Sequence, residues 1–226
     1  MTGVGVVFKL AHALIKRGQA EDRAAVQTLD LREYLDLVAL GTIADVAPLL
    51  GENRILVKHG LARLTKAPSP GLKALLKAAD LTSAVDVYHV GFVLGPRLNA
   101  AGRLGTPESA LELLLTDHAD VAATLAKQLS AANEERRRIE GVIRDQATQE
   151  IDRWFNPKEH FGIVVGREGW HVGTIGIVAS RLASRYYRPS VVIGFDEHGK
   201  GSGSCRSIAE MDVVQALESC RHLLDS

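Results

Sequence analysis

Cysteine is scarce in this sequence: Cys205 and Cys220 are the only two among 226 residues. No disulfide framework is expected, and with no secretory signal at the start the pattern fits a reducing cytoplasm. Aromatic residues make up 5%, too few for a broad platform on which successive bases stack. No apolar run approaches the roughly 18 to 20 residues needed to cross a bilayer, so no membrane is expected. Net charge is missing as well, because Lys+Arg and Asp+Glu balance at 27 each. An anionic partner must therefore be held by local clusters of Arg and Lys, since no global positive field exists. What remains, 46% apolar and 24% charged residues, is ordinary for a soluble globular protein. The length suffices for one large domain or two small ones with a real core.

Up to about residue 116 the apolar pattern is helical almost throughout. Val4, Val7, Phe8, Ala11, Leu14 and Ile15 share a face that stops near Gly18; further helical segments lie at 31–46, 54–64 and 71–79. The stretch 91–105 holds Gly91, Gly95, Pro96, Gly102 and Gly105 around two arginines and is expected to be a shaped loop. Thr106-Pro107-Glu108 then starts a helix, with Thr at the N-cap, Pro at the first position and Glu in the first turn. Residues 119–154 contain no Pro and keep helical spacing throughout, which predicts one helix of roughly 50 Å. Its centre, 133–140, is too polar to be buried on all sides, as expected of a helix between two domains. From Phe161 the pattern changes to strand at 161–165, helix at 175–187 and strand at 190–195, which implies a βαβ unit with a parallel pair. A polar Gly-Ser stretch at 199–207 and an amphipathic helix at 213–224 follow. Both chain ends cut into helical patterns, the expectation for a piece of a longer protein.

Four places carry residues suited to chemistry. Asp45 closes the apolar run at 37–49; a carboxylate there serves either a hard divalent cation or a helix end. Arg97, Asn99 and Arg103 offer forked donors to phosphate oxygens, or else tie their segment to neighbouring carbonyls and carboxylates. The segment 166–176 lies between a strand and a helix and contains His171. Free N–H groups at such a helix start favour an anion, although a lone His in a loop is more often structural. Ser204, Arg206 and Ser207 sit in a Gly-Ser stretch that reads as a phosphate pocket or as an exposed turn.

Taken in order, five blocks resemble the RecJ family of the DHH phosphoesterases. They are Val4-Gly5-Val6-Val7-Phe8-Lys9-Leu10, residues 37–49, residues 95–103, residues 133–140, and residues 169–182 followed by 201–207. The resemblance implies an α/β fold: the helical remainder of a DHH-type catalytic domain at 1–116, a long connecting helix at 117–156, and a small α/β nucleic-acid-binding domain at 157–226. It further implies 5′-to-3′ hydrolysis of single-stranded DNA in repair and recombination, using two Mn²⁺ or Mg²⁺ ions. Asp45 alone matches a catalytic metal ligand. Arg97, Asn99 and Arg103 match a loop facing the DNA backbone, and Ser204, Arg206 and Ser207 match phosphate contacts. His171 falls within a matching block, on the substrate side, without an assigned role. The family's Asp-His-His motif belongs before Met1 and its Gly-Gly-His motif after Leu224, so this chain alone is expected to be inactive. Single-stranded DNA is the expected partner, with other repair proteins as further candidates, and the chain is expected to be a monomer. Two alternatives stay open: a non-catalytic single-strand-binding module, and a DHH phosphoesterase acting on small nucleotides.

Overall fold

The computed structural model describes residues 1–66 and 68–223. The chain divides into two compact units, Met1–Asn133 and Glu134–Ser226, and each has its own core.

The N-terminal unit is helical. Helices α1 (Gly3–Ala20), α2 (Leu35–Ala44), α3 (Gly51–Lys66) and α4 (Pro70–Ala78) come first. A π-helical turn, His89–Leu94, then runs straight into α5 (Gly95–Leu104), and α6 (Glu108–Leu115) follows. The long helix α7 (Ala119–Trp154) contributes its first half to this unit. Ala122, Leu125, Ala126 and Leu129 of α7 pack with Val57, Leu64, Leu72, Leu75, Leu94 and Leu113 in one core. Close backbone approach helps to seal it. A Cβ at Gly71 would lie 1.7 Å from the Leu113 carbonyl oxygen, so only glycine lets α4 meet α6 there.

The loop expected at 91–105 is helix instead. Proline inside an α-helix clashes with the carbonyl four residues back. Here the π-helical turn widens the helix just before Pro96: the Gly95 N–H bonds to the Val90 carbonyl, five residues back. That gives the proline ring room, and Pro96 then occupies the first turn of α5, where a missing N–H does little harm. The helix expected after Thr106 begins at Glu108, with Pro107 already in helical conformation.

The C-terminal unit starts with the second half of α7. A three-stranded sheet follows in the order β1-β2-β3, formed by β1 (Ile163–Glu168), β2 (Ser190–Phe195) and β3 (Gly201–Arg206). Helix α8 (Val172–Tyr186) connects β1 to β2, which are parallel with Val165 opposite Val192. The βαβ reading therefore holds. β3 lies antiparallel to β2, with Val192 opposite Ser204, so most of the Gly-Ser stretch is a strand and not a turn. Ile143, Ala147 and Ile151 of α7 pack with Ile163, Val165, Ile175, Val178, Leu182 and Val192. The terminal helix α9 covers Val213–Ser219 and a single 3-10 turn takes in Arg221–Leu223; residue 224 of the expected helix lies outside the described residues.

Residues 119–154 form the single helix that their spacing predicts. Its polar centre is drier than expected, however, since Asn133 and Glu140 are 4% and 3% exposed. The Glu140 carboxylate accepts from Arg136 at 2.7 Å and from Arg181 of α8. Burial is therefore compensated by two guanidinium donors, which hold α8 onto α7. Arg138 is exposed and pairs with Glu135.

Candidate nucleic-acid interface

In the C-terminal unit the alternation of β3 places Ser202, Ser204 and Arg206 on one face of the sheet. That face meets α8 through a glycine. A Cβ at Gly176 would lie 3.1 Å from Ser204 Oγ and 3.2 Å from Arg206 Nη2. Arg206 Nε donates to Ser180 Oγ at 3.1 Å, while Nη1 donates to Ser204 Oγ at 3.1 Å and to the Cys205 carbonyl at 2.7 Å. The guanidinium is thus exposed yet braced by two hydroxyls and a carbonyl, a preorganised cation at the edge of the sheet. Burial pushes the neighbouring Cys205 thiol above its usual range, opposed by the positive charge of Arg206. Ser207 stands apart, because its hydroxyl donates to the Met211 carbonyl at 2.6 Å and closes the following turn.

His171 caps α8: its Nδ1 accepts from the Gly173 N–H at 3.1 Å, and its carbonyl accepts from Thr174 Oγ1 at 2.9 Å. The side chain thus takes the place at the helix start that an incoming anion would use. The structure brings Ser204 and Arg206 together, sets Gly176 from the Gly-rich segment 166–176 against them, and adds Ser180, which sequence reading did not single out. Both Gly176 and Ser180 lie on α8, and no local motif signals Ser180.

In the N-terminal unit Asp45 is the exposed residue that ends α2. The next residue, Val46, has φ +53 and is 87% exposed. Its N–H bonds to the Ile43 carbonyl at 2.9 Å, and Ala47 N–H to that of Thr42 at 3.2 Å. The start of α1 lies against this turn: Thr2 caps α1 through the Gly5 N–H, and its hydroxyl lies 3.3 Å from that of Thr42. The buried carboxylate of α2 is Asp36, fully inaccessible. It accepts from the Leu37 N–H at 2.9 Å and lies 3.8 Å from Arg63 Nε, so its role is to join α2 to α3. Among the described residues no group of three or more His, Cys, Asp or Glu could hold a metal ion. Asp45 brings one carboxylate, and by themselves these residues do not fit a two-ion centre.

Arg97 turns inward. It donates to the Val93 carbonyl at 2.8 Å and to Ser130 Oγ of α7 at 3.3 Å. Asn99 and Arg103, four residues apart on α5, share an exposed side. The three residues that sequence grouped in one loop thus divide between two sides of a helix.

Comparison with known proteins gives this arrangement a context. Residues 160–225 match the DHHA1 domain, and that match falls within the C-terminal unit. Over 99% of its length the chain is 40% identical to the single-stranded-DNA-specific exonuclease RecJ of Bacillus subtilis, of which it covers 27%. Along nearly its whole length the chain is similar to RecJ. RecJ of Escherichia coli is 40% identical over 96% of this chain and 39% of its own length. The crystal structure of Thermus thermophilus RecJ with Mg²⁺ superposes with a TM-score of 0.76 at 39% identity, covering 86% of this chain and 30% of that one. A structure of exonuclease RecJ bound to manganese gives 0.72 at 40% identity, over 83% of this chain and 46% of that one. The chain therefore spans about a quarter to two-fifths of the curated RecJ relatives just named. The α/β fold with a long helix ahead of a small strand domain is that of RecJ. Among the described residues no helix is long and apolar enough to cross a membrane.

Proposed function

We propose that this chain is part of a 5′-to-3′ single-stranded-DNA exonuclease, to which it contributes a strand-holding surface and one metal-ligating carboxylate. The observation that carries the reading is 40% identity to RecJ along 99% of the chain. The local geometry agrees with it. Arg206, braced by Ser180 and Ser204, suits a phosphate oxygen, and Asn99 and Arg103 offer donors from an exposed helical face. Phosphodiester hydrolysis in such an enzyme uses two Mg²⁺ or Mn²⁺ ions to supply hydroxide and to stabilise charge on the phosphate oxygens. Asp45 would ligate one of them. A single carboxylate does not organise the pair, so no hydrolytic step is assigned to the residues present here. Their work is to bind and orient the strand.

Fluorescence anisotropy with a labelled oligonucleotide tests this reading. The 226-residue chain should bind single-stranded DNA with an affinity that falls as salt rises, and should not cleave it in Mn²⁺. Arg206→Ala should weaken binding and flatten the log K against log[salt] slope by about 0.7, one phosphate's worth for a single strand. Absence of binding even at low salt would sink the strand-holding role. Cleavage that Asp45→Ala abolishes would show instead that the chain holds a complete metal centre.

A further inference from the structure

Aromatic side chains are few in this protein, and several are spent internally. Trp170 is 5% exposed and donates to Gln146, and Phe155 packs against Tyr186 and His160. Tyr88 and Phe92 differ. They are 62% and 72% exposed, yet they stack on each other with ring centroids 5.1 Å apart and planes at 29°. Two large rings left in water give up the burial that normally repays an aromatic residue. Phe92 lies in the π-helical turn His89–Leu94, and such insertions occur often at functional sites. His89 meets Tyr88 edge-on at 6.0 Å and pairs with Asp86 at 2.7 Å, which braces the foot of the stack.

The position of this pair narrows its occupant. The π-helical turn is continuous with α5, and Asn99 and Arg103 follow Phe92 by seven and eleven residues. Asn99 and Arg103, four residues apart on α5, share one side of it, and all three side chains are exposed. At 1.5 Å per residue Arg103 lies about 6 Å beyond Asn99 along the axis of α5, which continues directly from the turn that holds Phe92. A flat aromatic surface followed by an amide and a guanidinium matches a chain with planar groups and regularly spaced negative charge. An apolar peptide would leave both polar groups unused. A single strand of nucleic acid uses all of them.

We propose that Tyr88 and Phe92 form a stacking platform for one base of a bound single strand, with Asn99 and Arg103 on its neighbouring phosphates. The inference rests on the reading of the chain as a single-strand binder and adds where a base sits. It also refines the expectation drawn from composition, since a platform for one base needs only two rings.

The test compares an oligothymidylate with an abasic deoxyribose-phosphate strand of equal length, both titrated into the 226-residue chain at fixed salt. Wild type should prefer the oligothymidylate. Phe92→Ala should weaken oligothymidylate binding about tenfold, leave the abasic strand unaffected and leave the salt slope unchanged. Phe92→Trp should restore the preference, and Tyr88→Ala should reproduce the loss more weakly. Both rings are exposed, so circular dichroism and melting temperature should match wild type. Equal wild-type affinity for the two strands, untouched by Phe92→Ala, would remove the platform and leave strand binding standing. Loss of both strands together in the variant, or a change of oligomeric state, would mark the pair as a packing surface and overturn the proposal. If wild type binds neither strand, the binding role itself fails first.

Discussion

Val46 adopts φ +53 with its side chain 87% exposed, a conformation that β-branched residues avoid at a cost of roughly 1–2 kcal/mol. No burial offsets that cost. The turn it makes ends α2 and directs the chain away immediately after Asp45, the carboxylate proposed above as a metal ligand. Strain of this kind is stored at functional sites, which agrees with the role proposed for Asp45. Val46→Gly should therefore stabilise the chain by about 1 kcal/mol, read as a higher urea midpoint with an unchanged slope. A lower midpoint would mean that the valine side chain makes a contact worth more than the strain. The two aspartates of the same apolar run show what one residue's sequence context conceals. Asp36 and Asp45 both sit in helix-forming surroundings, yet Asp36 is sealed between α2 and α3 and Asp45 is open. Only the partner helix, carrying Arg63, distinguishes them.

At the scale of elements, the regular pieces were legible and the exceptions were tertiary. Helix α7 at Ala119–Trp154 and strand β2 at Ser190–Phe195 follow directly from apolar periodicity and the placement of breakers. The segment 91–105 misleads because glycine and proline usually interrupt a helix, whereas here a π-helical turn accommodates Pro96. β3 misleads in the opposite direction. Its Gly-Ser-Gly-Ser-Cys-Arg sequence has no β-branched or aromatic residue, and it is a strand because β2 supplies the pairing. Most of the phosphate-binding candidate is therefore readable: Ser204, Arg206 and the Gly-rich segment ending at Gly176 stand out in sequence, while their juxtaposition and Ser180 enter only through α8 packing. The charges in the middle of α7, taken one by one, predict a solvated segment, and the Arg136–Glu140–Arg181 group forms only with α8 in place. Glu140→Ala should accordingly cost about 3 kcal/mol, because Arg136 would lose its carboxylate in a nearly buried setting. Glu140→Gln, which keeps an acceptor oxygen, should cost less. Chemical denaturation of the two variants side by side measures the difference, and equal, small losses would make the group an ordinary surface pairing.

For the whole molecule, 27 basic and 27 acidic residues mean that no long-range field draws DNA in. On the proposed reading, affinity would come from a few local donors: Asn99 and Arg103 in one unit, Ser204 and Arg206 in the other. The DHHA1 match covers only the second unit, whereas Asp45 and the Tyr88–Phe92 pair belong to the first. RecJ-like character is thus spread over both units, as the identity along nearly the whole chain also indicates.

β3 has a consequence in time as well as in space. It is an edge strand among the described residues, paired on one side only and built of residues with little intrinsic preference for the sheet. Segments of this kind detach and reattach well below the free energy of global unfolding. Backbone amides at 201–206 should therefore exchange with deuterium sooner than those of β2, whose two neighbours hold it from both sides. Because Arg206 and Ser204 are presented only while β3 is docked, an oligonucleotide at about 100 times its Kd should slow that exchange about a hundredfold. The slowing should reach β3 and leave the already protected β2 nearly as it was. Unchanged exchange at 201–206 under saturating oligonucleotide would place the strand-holding surface elsewhere. Slowed exchange would make the anchor for the strand a part-time structure, fixed in place by the strand it holds.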